Sequence, residues 1–144
     1  MAAMSGACMC GAVQVSVVAK GDHMTACNCE NCRRWSGGVG FTFEVEAKSA
    51  EMTGPIKTIS LLSWAERGFC GDCGSGLFWR VISDGEMSGM LKMSAGLFPD
   101  GTGLPLGMEF YADERPDGFD LSQPHKTMTR AEVEAHFFDA GKGD

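Results

Sequence analysis

A mainly β fold with one short C-terminal helix is what this chain predicts, and three observations point to it. Glycine fills 20 of the 144 positions, about twice the usual roughly 7%, which suits a chain that turns often. Apolar and polar residues alternate with a period of two in several short runs, the pattern of strands with one buried face. Seven cysteines fall in tight groups, two of them pairs followed at once by glycine, where the backbone can bend around a shared centre. A chain of this length can bury roughly 70% of its unfolded surface in one compact domain. Residues 1–144 read as that one domain, without an internal boundary.

Val13, Val15 and Val17 alternate with Gln14 and Ser16 and predict the first strand. Arg33-Arg34-Trp35 reads as one helical turn, stopped by Gly37-Gly38. Phe41, Phe43 and Val45 alternate with Thr42, Glu44 and Glu46 as a second strand. Gly54-Pro55 marks a turn. Thr58 to Trp64 predicts a third strand, Arg67 to Phe69 a short one, and the apolar run Leu77 to Ile82 a well-buried one. After a turn at Asp84-Gly85, Met87 to Met93 is expected to return as a strand. Residues 96–107 hold four glycines and two prolines and read as a loop; Met108 and Phe110 belong to a last strand. Thr129-Arg130-Ala131-Glu132 is a capping box opening a helix to about Phe138, and Gly141 to Asp144 is expected to fray.

With 12 basic against 19 acidic residues the formal charge is −7. Phosphate binding needs clustered positive charge, so nucleic acid and anionic membrane are not expected partners. No stretch approaches the ~18 apolar residues of a membrane span, and Met1 to Cys10 has neither the basic residue nor the apolar run of a secretory signal. A cytoplasmic location is therefore expected, where clustered thiols favour metal over disulfide.

The cysteine groups carry the chemistry. Cys8/Cys10 and Cys70/Cys73 are two pairs about 60 residues apart, preceding Gly11 and Gly74. Together they offer four thiolates, a closed tetrahedron suited to structural zinc; a disulfide or buried free thiols are the alternatives. Cys27, Cys29 and Cys32 offer three ligands from six residues, which leaves a corner for an exchangeable group unless a distant side chain closes it. His23, His125 and His136 are the histidines that could. Zinc held by three thiolates is a weak Lewis acid, yet it can hold an incoming thiol as thiolate, so sulfur chemistry is favoured over hydrolysis.

These motifs together resemble the glutathione-dependent formaldehyde-activating enzyme family, also called the CENP-V/GFA domain, over about residues 5–122. The likeness lies in Cys8-Met9-Cys10-Gly11, in Cys27 to Arg33 followed by Gly37 and an aromatic strand, and in Arg67-Gly68-Phe69-Cys70-Gly71-Asp72-Cys73-Gly74-Ser75-Gly76-Leu77-Phe78. The resemblance implies an Mss4-like fold, two antiparallel sheets packed as a tent. It implies two zinc ions per chain: a structural one on Cys8, Cys10, Cys70 and Cys73, and a catalytic one on Cys27, Cys29 and Cys32. The implied activity joins formaldehyde to glutathione as S-hydroxymethylglutathione, a carbon–sulfur lyase reaction. Asn28 stands where the family often has histidine between the first two triad cysteines, and Glu30 where a small residue is common.

Arginine grips carboxylates bidentately, so Arg33 and Arg67, more than Arg34 and Arg80, are the candidates to dock the carboxylates of a thiol such as glutathione. Glu30 could move protons or stand as a solvated carboxylate. Met87, Met90 and Met93 read as core packing rather than a copper site, and Trp35, Trp64 and Trp79 as buried in the sheets rather than lining a pocket. Two other function classes fit the cysteine pattern: a non-catalytic zinc module that binds a protein partner, and a thiol redox protein cycling Cys27 to Cys32.

Overall fold

The structure, a computed structural model, describes residues 2–138; the expected fraying of Gly141 to Asp144 lies outside them. The described residues fold as ten strands and two α-helices joined by short 3-10 turns. The strands are β1 (Met4–Ala7), β2 (Gln14–Val17), β3 (Met24–Cys27), β4 (Gly40–Val45), β5 (Glu51–Thr53), β6 (Ile56–Leu62), β7 (Ala65–Cys70), β8 (Gly76–Val81), β9 (Leu91–Ser94) and β10 (Leu106–Phe110). The helices are α1 (Glu30–Ser36) and α2 (Arg130–Phe137). A three-stranded sheet runs β1-β2-β5, and a seven-stranded sheet runs β10-β3-β4-β9-β8-β7-β6.

Two neighbouring rows of the larger sheet explain most of the architecture. Residues directly opposite one another put Gly68, Phe78, Met93 and Phe43 in one row across β7, β8, β9 and β4. The adjacent row holds Arg67, Trp79, Lys92 and Glu44. Successive strand residues face opposite sides, so the first row enters the core and the second faces away from it. Phe43 and Met93 are fully buried, and they share the core with Val15 and Val17 of β2 and Val13 just before it. Gly68 is required in the core row: a Cβ there would lie 2.2 Å from the Phe78 ring.

The expected class, mainly β with two sheets and a short last helix, is the one observed. Val13–Val17, Phe41–Val45 and the run from Leu77 to Val81 lie in or beside strands. The capping box forms in full, Thr129 Oγ1 accepting from Glu132 N and Glu132 Oε1 accepting from Thr129 N, both at 3.2 Å. One pairing departs from the antiparallel expectation: β10 lies parallel to β3. Strands β1, β3 and β5 were not anticipated: each is short, and none shows the regular valine alternation that marks β2. The strand expected from Met87 to Met93 is only Leu91–Ser94. Before it, Gly85 and Gly89 adopt φ of 128° and 79°, left-handed values that fold residues 85–89 into turns.

Met93 is a core residue, but Met87 is half-exposed and Met90 only partly buried, a correction to the packing role expected of all three. The tryptophans also depart from expectation: Trp35 and Trp64 are exposed, and Trp64 and Trp79 line a cavity. No helix among the described residues is long and apolar enough to cross a membrane.

Candidate functional site

The turn between β1 and β2 carries Cys8 and Cys10; the end of β7 and the turn after it carry Cys70 and Cys73. Their four sulfurs lie within 4.8 Å of one another. Zinc–sulfur bonds of about 2.3 Å give a tetrahedron with edges of about 3.8 Å. The Cys8–Cys10 and Cys10–Cys70 sulfur separations are 3.6 and 3.9 Å, so the cage has the size zinc needs. Backbone N–H groups point at two of the sulfurs: Val13 donates to Cys8 Sγ at 3.2 Å, and Asp72 and Cys73 donate to Cys70 Sγ at 3.4 and 3.5 Å. Gly11 and Gly74, at φ of 82° and 81°, turn the two knuckles. Ser75 joins them, its Oγ accepting from Met9 N at 3.0 Å and lying 3.2 Å from Cys73 Sγ.

The Ser75 hydroxyl beside Cys73 holds that thiol down at about 5. Cys10 is pushed up to about 12: the Ala12 backbone pulls it down, but Cys8, burial and the other sulfurs outweigh that. Packed sulfurs compete for negative charge, since one thiolate makes the next harder to form. A divalent cation removes the conflict.

The triad is built by β3 and α1. Cys27 ends β3, Cys29 caps α1, and Cys32 lies in its first turn. Their three sulfurs also lie within 4.8 Å of one another, and Cys29 Sγ accepts the Cys32 N–H at 3.4 Å. Burial pushes the Cys27 thiol up to about 12. Burial works the same way on Cys29, but the Cys32 backbone hydrogen bond helps to hold that thiol below its ordinary value. Among the described residues no histidine joins either sulfur group. His23 bonds Asp22 at 3.1 Å, and His125 and His136 are exposed. Glu30, exposed at the start of α1, pairs with Arg34 at 2.7 Å and borders the same cavity as the triad.

Asn28, between the first two triad cysteines, is fully buried. Its Nδ2 donates to Glu109 Oε2 at 2.8 Å and to the Phe110 carbonyl at 3.3 Å. Arg115 holds Glu109 in turn at 3.1 Å. Arg33 Nε donates to the Asn28 carbonyl at 2.9 Å. The parallel strand β10 therefore acts as a backing for the triad loop. Of the two arginines expected at the site, Arg33 is occupied in this support and lies outside the cavity lining, whereas Arg67 is within it.

That cavity has a volume of about 820 Å³ and includes all three triad cysteines in its wall. Its floor is the second row of the large sheet, Arg67, Trp79, Lys92 and Glu44. Arg67 Nη2 donates to Cys32 Sγ at 3.5 Å, with the guanidinium 5.6 Å over the Trp35 ring. Lys92 Nζ donates to Thr25 Oγ1 at 2.9 Å and stands 5.2 Å over the Phe110 ring. Burial holds its pKa below the ordinary 10.5, against the opposing pull of Glu44; Glu44 is itself paired with Lys20 at 3.2 Å. Tyr111 also lines the cavity and is the one non-glycine residue described at positive φ, 54°, a strained geometry that functional sites often hold. Sequence reasoning missed Lys92 and the support given by Glu109, and it noted Asn28 only as standing where the family often has histidine.

The profile of a family described as glutathione-dependent formaldehyde-activating enzyme matches residues 3–114, a span containing all seven cysteines. A protein of Schizosaccharomyces pombe named an uncharacterized lyase is 25% identical over 129 residues, 89% of this chain and 92% of the relative. A crystal structure of a Rhodobacter sphaeroides protein aligns with a TM-score of 0.58 at 17% identity, covering 72% of this chain and all of that one; this likeness bears on the fold alone. With the cysteine clusters in place and most of its length matched, the chain belongs to the glutathione-dependent formaldehyde-activating enzyme family.

Proposed function

We propose that this protein is a zinc-dependent lyase of the carbon–sulfur type, resembling S-(hydroxymethyl)glutathione synthase, that joins a small thiol such as glutathione to an aldehyde or releases it. One observation carries the proposal: three sulfurs converge in the wall of a large cavity whose floor presents Arg67 and Lys92. The name of the yeast relative and the family match support the same class. Two zinc ions per chain are proposed, one on Cys8, Cys10, Cys70 and Cys73 for stability and one on Cys27, Cys29 and Cys32 for chemistry. A glutathione-dependent role fits a reducing compartment such as the cytoplasm.

In the joining direction the thiol sulfur bonds the carbonyl carbon, the π pair moves to the oxygen, and the thiol proton ends on that oxygen. Zinc on the triad would supply positive charge that favours the thiolate form of the incoming thiol. Arg67, fixed over Trp35, is assigned to a substrate carboxylate, which its planar fork fits. Lys92, aimed from the floor, is assigned to the carbonyl oxygen as negative charge gathers there. Arg33 and Asn28 hold the triad loop against β10.

Metal counting on purified, reduced protein tests this reading. Two zinc per chain, one of them lost in Cys29→Ser, is the expected result. One zinc per chain, unaffected by that substitution, would overturn it in favour of a partner-binding module.

A further inference from the structure

One end of the cavity is apolar in a way the chemistry of formaldehyde and glutathione leaves unused. Leu62, Trp64 and Met87 line it while 38%, 42% and 50% exposed, and Met90 and Trp79 continue the same wall. Trp64 and Trp79 stand edge to face, centroids 5.6 Å apart at 82°, an arrangement that leaves ring surface for a third aromatic group. Methionine side chains beside them are flexible and adapt to irregular apolar shapes. Apolar surface gathered in one concave place marks a ligand site more often than chance exposure does.

The position of this wall says which part of a ligand it meets. Trp79 sits in the floor row between Arg67 and Lys92, so the apolar wall and the two cations share one surface with the triad. Glutathione is polar along its length, with carboxylates at both ends, and has no group to fill such a wall. Formaldehyde adds only a carbon and an oxygen to it. The cavity, at about 820 Å³, lies toward the upper end of the roughly 300–1,000 Å³ usual for small-molecule sites.

Resting on the reading above, we propose that the carbonyl partner is an aldehyde larger than formaldehyde, bearing an aromatic or branched apolar substituent that packs on Trp64, Trp79, Leu62, Met87 and Met90. The step is R–SH + R′–CHO → R–S–CH(OH)–R′. The sulfur bonds the carbonyl carbon, the π pair goes to oxygen, and the thiol proton finishes there, so no oxidant or reductant enters. Lys92 lies beside Trp79 in the row, which sets the apolar substituent next to the group assigned to the oxygen.

Stable thioethers stand in for the adducts. Isothermal titration of the zinc-loaded full chain with S-benzylglutathione and with S-methylglutathione should show the benzyl compound binding at least about tenfold tighter, as burial of a ring implies. Trp64→Ala and, separately, Met87→Ser should each cut that ratio to below about threefold, with thermal melts confirming that both variants fold. Equal affinities in the unsubstituted protein, or a benzyl preference that survives both substitutions, would overturn the proposal and leave the lyase reading standing. A chain carrying zinc only on Cys8, Cys10, Cys70 and Cys73 would overturn both.

Discussion

Replacing Lys92 by methionine separates folding from chemistry at the cavity floor. Methionine keeps the packing of the stem, and three contributions decide the stability. The Nζ bond to Thr25 Oγ1 at 2.9 Å contributes about 0.5–1.5 kcal/mol, and the contact with Phe110 about 0.5–1 kcal/mol. Against these stands the cost of burying the ammonium, which holds the Lys92 pKa below 10.5. A depressed lysine pKa means that the unfolded chain binds the proton more tightly, so stability rises with pH between the folded value and 10.5. Below that window the burial cost is fully present, and Lys92→Met removes it. The net change in unfolding free energy should stay within about 1 kcal/mol. The catalytic effect is of another size: losing a donor aimed at a developing oxyanion costs about 10²–10³ in kcat. Urea unfolding, zinc content and the initial rate of hemithioacetal formation measure the three quantities on one preparation. A rate within threefold of the unsubstituted protein would refute the assignment of Lys92. So would a rate loss that merely follows a loss of about 3 kcal/mol in stability.

A chelator strong enough to strip both clusters, or Cys10→Ser alone, should lower the melting midpoint by more than about 10 °C, because structural zinc binds with about 10–16 kcal/mol and whole domains are stable by about 5–15; Cys29→Ser should lower it far less, and equal shifts would contradict the division of labour. Arg33→Ala should weaken zinc retention at the triad about tenfold or more through the loosened Asn28 loop, with thiol affinity unchanged at full zinc occupancy; a fall in that affinity would return Arg33 to substrate docking. Gly68→Ala should cost about 1–3 kcal/mol, since its Cβ would lie 2.2 Å from a ring atom of buried Phe78; urea unfolding reads this directly.

The two sulfur clusters were legible in the sequence because their cysteines lie close together along the chain. Cys27 to Cys32 span six residues, and each outer pair sits on one turn. Strands such as Phe41–Val45 were legible because alternation marks the buried face. The cavity was not legible, because it is made by opposition across strands. The continuous apolar run around Trp79 hid which face that side chain takes, and no local pattern says that Trp79 and Lys92 are neighbours in one row. Asn28 and Glu109, 81 residues apart, meet only through a parallel pairing that no local pattern announces. The tryptophans were misplaced because large apolar side chains are usually inside, a rule that runs one way only.

The parallel strand has a consequence for how the molecule is born. Every thiol has been synthesised by residue 73, yet the seat behind Asn28 waits for Leu106–Phe110 to arrive and dock beside β3. A nascent chain halted before that point owns the complete set of sulfurs and an unbraced triad loop. Bracing of the triad loop thus depends on the strand that carries Glu109, 81 residues beyond Asn28, so any truncation before Leu106 removes the support while leaving every sulfur in place.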